Sequence, residues 1–548
     1  MKKRLRIAIL IRDYKNLGLY ELQTINYILS DNDLELVLLI KDGRINVNSL
    51  IQKLKSNLWT RRIIANLLFK LQCFIEARLY PRKNNFLNKI HIFEELLKIP
   101  SIYLHPIRKG YLDIFSDEES AQVKNYDLDI ILRHEFGIIR GKILESAKHG
   151  IWSFHHGDNS VNRGGPAGFW EIVLNEPYVG VTLQKLTSIL DGGLVIDKAF
   201  YNWNFSYVST QNDILISSIE LLKKNIKKLK KNKITYKKSS VYYNQLYRKP
   251  DLKNVLLYLW KFYSQILKKI QFALVAKILN KNRNSWSLIF SKGIFLESQL
   301  FNKKEINMPK GEFWADPFLI NYDKDLYVFF ENYNYNLRRG KISCAKIIDD
   351  KFTDVRDVLS LDYHLSYPFL IQDGVDIFMI PETQENRRLE VYKCVNFPQQ
   401  WELYSIAFEG EEIVDTSYLV DDNGDKWLFI NKGYINKPEL HIYKIDSLRL
   451  NEIEEHAQNP VSIDCQTARN GGSIFKYNNE FYRPSQLNTN GKYGNGLNIS
   501  RIVELSLDEF VEEKVITVLP RFKKGISGIH HLHQINNAFV FDVFRKIK

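Results

Sequence analysis

Apolar positions along this chain fall into two textures, and the change between them comes near residue 285. Up to about residue 210, near-continuous apolar runs alternate with helical periodicity. Residues 6–11 (RIAILI) and 34–40 (LELVLLI) are runs of the kind that strands buried on both faces of a parallel sheet require. Residues 127–133 (DLDIILR) and 151–154 predict two further strands, with a helix over residues 142–148 between them. Residues 47–80 predict a long, basic helical pair. From residue 210 to 284 the pattern is helical and lysine-rich, and residues 256–279 carry apolar side chains at helical spacing interrupted by Lys261, Lys268, Lys269 and Lys277. That last pattern has two readings. One is a linker helix docked on a domain; the other is an interfacial helix whose Trp and Phe face lipid while lysines meet anionic head groups.

From Trp286 onward short strands, turn residues and aromatics dominate. ADPFLINYDKDLYVFFE, SYPFLIQDGVDIFMIPE and TSYLVDDNGDKWLFIN begin about fifty residues apart, and NGGSIFKYNNEFYRPSQ and IHHLHQINNAFVFDVF extend the series. Each unit is an apolar strand, a tight polar turn and an aromatic strand. Several strands per unit at a period of about 40–60 residues predict a β-propeller, and five units fit the length. The expected architecture is therefore an α/β, Rossmann-type N-terminal domain over 1–209, a basic helical linker over 210–284 and an all-β five-bladed propeller over 285–548.

Composition narrows this picture. An apolar fraction of 45% with 13% aromatics belongs to a folded protein. Cys73, Cys344, Cys394 and Cys465 lie far apart without a CxxC pair, which argues against a zinc site or a disulfide framework and fits a reducing, cytoplasmic setting. The apolar run after the basic N-terminus is broken by Arg12 and Asp13, so it reads as a strand and not as a signal peptide. Net charge is +14, and nine lysines stand between Lys223 and Ser240 without an acid. Such a segment can bind RNA, an anionic membrane or an acidic partner, or form a solvated helix face, and the last reading is preferred.

The densest chemistry lies in residues 150–196, GIWSFHHGDNSVNRGGPAGFWEIVLNEPYVGVTLQKLTSILDGGLVI. His155 and His156 follow a strand-like run, an Arg-Gly-Gly-Pro turn begins at Arg163, and a second strand leads to Leu-Asp-Gly-Gly at Asp191. In open α/β sheets ligands sit at the carboxyl ends of strands, where His155 falls. An imidazole titrating near neutral pH suits a base, and a carboxylate such as Asp191 suits its orientation. Asp158 and Asn159 are either substrate ligands or a turn cap, and Arg163 either binds a substrate phosphate or braces its loop. Two histidines and one aspartate lack a further ligand, so no metal is expected.

This layout resembles the catalytic core of the folate-dependent formyltransferases, in which a strand ends in Asn-x-His, an Arg-Gly turn follows, and Gly-Val-Thr leads to a Leu-Asp-x-Gly turn. The resemblance implies His155 as the catalytic histidine, Asp191 as the catalytic aspartate, Arg163-Gly164 as the turn and Gly180-Val181-Thr182 as the strand start. It also implies 10-formyltetrahydrofolate as donor. Ser153 stands where the family has its oxyanion-assisting asparagine, and loss of one such donor costs about 10²–10³ in rate, which leaves His156 to compensate. GDNSVN replaces the Ser-Leu-Leu-Pro loop that helps hold the folate, so weak or absent folate binding is expected.

In the second half, Asp316, Glu382 and Asp415 sit at or beside candidate strands of different units, and propeller closure is expected to converge them. Glycosidic chemistry needs a base, an acid of raised pKa and a tuning carboxylate. Sugar binding without cleavage and a purely scaffolding role are the other readings. Arg483, Gln486, His530 and His531 are expected to line the same funnel. WADPF at 314–318, Pro381-Glu382 and RPSQ at 483–486 resemble the five-bladed propellers of the furanosidase/xylosidase type. They resemble more specifically the propeller domain fused to plant inositolphosphorylceramide glycosyltransferases, over roughly residues 300–545. Together the resemblances imply formyl or acyl transfer to an amino sugar in surface-polysaccharide or glycolipid synthesis, with a glycan-binding or glycan-processing propeller. Glycosyl transfer on a nucleotide- or lipid-linked sugar is the alternative, and a non-catalytic carbohydrate-binding protein is the second. The expected partners are a sugar or sugar nucleotide and an anionic membrane surface. Nucleic acid is not expected, because a propeller stands where the tRNA-formylating enzymes carry a small barrel.

Overall fold

The computed structural model describes residues 4–12, 17–44, 61–81, 89–189, 193–278, 285–433 and 438–545. The chain divides into two compact units, Met1–Ala199 with Trp203–Tyr263, and Phe200–Asn202 with Ser264–Lys548. The expected helical linker thus contributes its residues up to Tyr263 to the first unit.

The first unit is built on a seven-stranded sheet of β1 (Leu5–Ile11), β2 (Leu34–Asp42), β3 (Ser101–Leu104), β4 (Ile130–Arg133), β5 (Ile151–His155), β6 (Val179–Lys185) and β7 (Leu194–Tyr201). Its order is β7-β6-β5-β4-β1-β2-β3. β1 to β5 run parallel, and β6 is antiparallel to β5 with Thr182 opposite His155. Ile7 to Ile11 are fully buried, as a strand covered on both faces must be. The helix expected over 142–148 is a short 3₁₀ turn, Lys142–Glu145. It enters from Gly141 at φ 107° and ends at Ser146, so the segment has no room for α-helical turns.

The helices of the unit include α1 (Leu19–Ser30), α2 (Arg61–Leu79) and α3 (Tyr207–Lys230), and α4 (Leu252–Ile278) begins in it. Of the expected pair over residues 47–80, positions 47–60 lie outside the described residues. α2 buries the polar Gln72 and Glu76 along with Ala65, and Phe69 packs on Phe169 and Tyr207. Glu76, fully buried, accepts from Ser206 Oγ (2.7 Å), the Val208 N–H (3.0 Å) and Tyr258 Oη (2.5 Å). The lysine run of α3 has partners inside the protein. Lys224 stands 3.3 Å from Asp197 and Lys230 3.0 Å from Asp31. Part of the positive charge that invited a nucleic-acid reading is therefore neutralised internally.

The second unit consists of five antiparallel sheets in succession. The first holds Glu312–Tyr322, Asp325–Asn334, Arg339–Ile348 and Lys351–Leu359, and the second Ser366–Asp373, Asp376–Glu382, Leu389–Asn396 and Gln400–Ala407. The third is centred on Ile413–Val420, Lys426–Lys432 and Glu439–Ile445, and the fourth on Glu480–Leu487 and Gly496–Leu505. In the fifth, Ser285–Lys292 pairs with Ala538–Arg545, so the strand that opens this region is held by the one that ends it. Cores form between neighbouring sheets. One cluster joins Phe318, Phe369, Ile380, Ile413 and Ile430 from three of them.

The leading strands of the first three sheets share one irregularity. Each is bulged, between Ala315 and Phe318, Ser366 and Phe369, and Val414 and Ser417. Inside the bulges Asp316, Tyr367 and Asp415 take left-handed backbones, φ 49°, 47° and 45°. Bulges re-aim side chains, and non-glycine residues hold such conformations where the surroundings over-determine them.

Candidate functional site

In the first unit His155 ends β5, and its Nε2 lies 2.8 Å from the Asn162 carbonyl. A carbonyl only accepts, so in the neutral ring Nε2 carries the hydrogen and Nδ1 is the basic nitrogen. The Asn162 side chain in turn donates to Glu171 Oε1 (2.9 Å). Glu171 is buried, and burial pushes its carboxyl up to about 7. Ser153 accepts a hydrogen bond from Arg133 Nη1 (3.0 Å), which brings a guanidinium to the position where an oxyanion donor was sought. Asp191 lies outside the described residues.

The remaining motif residues build the loop. Asp158 is paired with Lys198 (2.6 Å) and caps the Ser160 N–H (2.9 Å). Asn159 donates to Ser239 Oγ (3.1 Å). Arg163 donates to the Asn159 carbonyl (2.9 Å) and stacks on Tyr242, 4.6 Å from the ring centroid, so it braces its loop. Gly164, at φ 109°, pairs with Tyr247, whose carbonyl a Cβ would strike. A Cβ at Gly180 would stand 2.6 Å from the Cβ of Asp158. His156, expected to assist the oxyanion, turns inward and packs on Tyr20 and Phe154, its Nε2 without a hydrogen-bond partner. Burial and the neighbouring His155 hold it down to about 4, so it is a neutral ring in an aromatic cluster.

In the second unit a cavity of about 400 Å³ is lined by residues of all five sheets and their connections. Asp316, Glu331, Glu382 and Asp415 supply carboxylates, Arg469 and His530 supply nitrogen, and Trp286, Phe313, Tyr333 and Tyr493 supply aromatic surface. Arg469 Nε donates to Asp415 Oδ2 (2.5 Å) and Nη2 stands 4.0 Å from Glu382. Gln486 donates to the same Asp415 oxygen (3.0 Å), and the Asp415 N–H donates to Glu382 (3.3 Å). His530 lies 2.7 Å from Asp542 and 3.3 Å from Asp316, under the Trp286 ring at 3.9 Å between centroids. Donor atoms of Asp316, His530 and Asp542 lie within 4.8 Å of one another, close enough to share a cation, although His530 already bridges the two carboxylates.

These groups shift one another strongly. Burial, with Asp542 and Asp415 nearby, pushes Asp316 up to about 7 against the pull of His530. Burial raises Glu331 well above the carboxylate range, and so does the charge of Asp316. Burial and the adjacent Asp415 do the same to Glu382. Burial opposes a charged His530, but Asp542 and Asp316 outweigh it and hold the imidazolium above its ordinary value. The cavity thus holds an ion-paired Asp415 beside carboxyl groups that keep protons near neutral pH, the asymmetry acid–base chemistry uses.

Three residues expected at the funnel stand elsewhere. Arg483 is fully buried and pairs with Glu512 (2.7 Å) while donating to the Thr467 carbonyl (2.6 Å), so it is committed inside the fourth sheet. Gln486 reaches Asp415 from behind and does not line the cavity. His531 packs between Phe318 and Tyr367 instead of facing the cavity. Glu331, Arg469 and Asp542 were not foreseen. Glu331 sits in the second strand of the first sheet, opposite Ala315, a register no local motif announces.

Residues 300–537 match the family model described as glucosamine inositolphosphorylceramide transferase 1, N-terminal. The glucosamine inositolphosphorylceramide transferase 1 of Oryza sativa subsp. japonica is 34% identical over 233 residues, 40% of this chain and 31% of that protein. Its Arabidopsis thaliana counterpart is 34% identical over 230 residues, 40% and 30% respectively. The chain therefore spans about three tenths of the length of these curated relatives. A Shewanella sugar N-formyltransferase aligns at 12% identity and TM-score 0.30 over 47% of this chain and 87% of its own. A GH43 β-xylosidase/α-arabinofuranosidase from a compost metagenome aligns at 13% and 0.30 over 42% and 84%. By sequence, residues 300–537 are similar to the N-terminal region of a family whose named members are transferases.

Proposed function

We propose that this chain is a sugar transferase of glycolipid or surface-polysaccharide synthesis, and that the second unit holds an amino sugar. The convergence of Asp316, Glu331, Glu382 and Asp415 in one aromatic-lined cavity carries this reading. Carboxylates accept from sugar hydroxyls, and aromatic faces cover the apolar face of a pyranose. The Asp415 carboxylate, joined by Asp316 as it ionises toward pH 7, complements an ammonium group. The name glucosamine inositolphosphorylceramide transferase, carried by the relatives, accords with glycosyl transfer. In this reading the five sheets form a five-bladed propeller over 285–548, preceded by an α/β domain over 1–209 and a segment over 210–284 that carries most of α3 and α4. Glu382 or Glu331 protonates a leaving oxygen, and ion-paired Asp415 tunes it. Calorimetric titration tests it. Glucosamine is expected to bind at least about tenfold more tightly than glucose, and equal affinities would remove the amino-sugar assignment.

A second reading rests on the hydrogen bond from His155 to the Asn162 carbonyl and on Arg133 beside Ser153. Nδ1 of His155 takes a proton from the amine of the sugar, Arg133 steadies the oxyanion, and a formyl or related acyl group is transferred. 10-Formyltetrahydrofolate is the candidate donor. Titration with a folate tests the donor. No heat with any folate leaves glycosyl transfer alone.

A further inference from the structure

We propose that the outward faces of α2 and the first half of α4 form a docking surface for an anionic lipid bilayer. The inference goes beyond the sugar-transfer reading and does not depend on it. α2 turns an apolar stripe to solvent. Its polar Gln72 and Glu76 are buried, whereas Ile64, Leu67, Leu71 and Phe74 recur every three or four residues at 54%, 62%, 56% and 57% exposure. On α4, Leu256, Trp260 and Tyr263 form a second exposed stripe, with Trp260 at 67%. The helices adjoin through Tyr258–Glu76 (2.5 Å) and Tyr263–Gln72 (3.0 Å). Contiguous exposed apolar surface of this kind marks an interaction site.

Charge selects the occupant. α4 contains no acid, and the one acid of α2, Glu76, is buried. The exposed charges of this unit's part of the two helices are Arg62, Lys70 and Arg78 on α2 and Lys253 on α4. Stripes with this spacing also suit helix pairing, but pairing helices rely on flanking charges of opposite sign, and a second copy would bring cation against cation. An anionic head-group layer meets the same cations favourably while the acyl boundary takes Leu, Trp and Phe. Arg78 already lies over Phe74, 4.9 Å from its ring, in the manner of a cation that reaches from an apolar face toward a polar layer. Among the described residues no helix is long and apolar enough to cross a membrane, so the surface would lie on the bilayer.

Vesicle flotation of the full chain tests this. It is expected to float with phosphatidylcholine–phosphatidylglycerol vesicles at low salt, more weakly at high salt, and not with phosphatidylcholine alone. Leu67→Glu with Leu71→Glu, Trp260→Glu, and Lys70→Glu with Arg78→Glu should each weaken flotation at least about tenfold without lowering the melting temperature, since all five positions are exposed. Absence of flotation with anionic vesicles, or equal flotation with both lipids, overturns the proposal. So does a dimer in sedimentation velocity that the same substitutions dissolve, because the stripe would then belong to a second copy.

Discussion

The two candidate sites are made in opposite ways. The first is local, with Ser153, His155, Asn162 and Glu171 within one short stretch and the surrounding loop tied down by Arg163 and Lys198. The second is assembled from afar. Trp286 and His530 are separated by most of the second unit, yet their rings stack at 3.9 Å. The local site keeps few charges and satisfies them with neighbours. The assembled site crowds carboxylates until their protonation is shifted, and positions two of them on left-handed backbones. Strain and like-charge crowding persist where the fold over-determines them, which places the second cavity among the regions that cost stability for function.

Substitutions can break this contrast. Glu382→Gln is expected to lower sugar transfer by about 10²–10⁴ with the fold intact, the scale of a lost general acid, as read from turnover and circular dichroism. If His155 is the base of the first site, His155→Ala should reduce acyl transfer at least about 10²-fold while sugar affinity in the second unit stays unchanged, and His156→Ala should cost less. Wild-type acyl transfer in His155→Ala would remove the first site from the account.

How far each site was legible follows from this difference in construction. Strands at Leu5–Ile11 and Leu34–Asp42 show in the sequence as unbroken apolar runs, because burial on both faces leaves no polar position. Asp316, Glu382 and Asp415 could be placed in one cavity because each stands beside a repeated strand signal. Glu331 has no such marker, since its position depends on strand register opposite Ala315. Arg483 looked like a funnel residue from its motif, but only the fourth sheet reveals Glu512 across from it.

Two smaller effects sharpen the comparison. Arg483→Met leaves Glu512 without its partner and should cost about 3 kcal/mol in denaturant unfolding while altering sugar affinity less than about twofold, as a structural pair away from the cavity requires. Glu171 tests the first site through pH. Its folded carboxyl is raised to about 7, above the value near 4 of an unfolded chain, so its contribution to stability falls as pH rises through that window. Glu171→Gln should therefore match wild type near pH 4 and melt a few degrees higher, on the order of 2–4 °C or more, near pH 8. A constant difference across that range would mean the carboxyl is not buried as described.

The most direct test of the assembled site is the pH dependence of its affinity for glucosamine, measured by calorimetry from about pH 5 to about pH 7. Asp316 gains its charge toward pH 7, so the ammonium should bind at least about tenfold more tightly at the upper end, while glucose stays nearly level. A flat profile for glucosamine, or the same slope for glucose, would contradict a cavity whose carboxylates recognise an amino sugar.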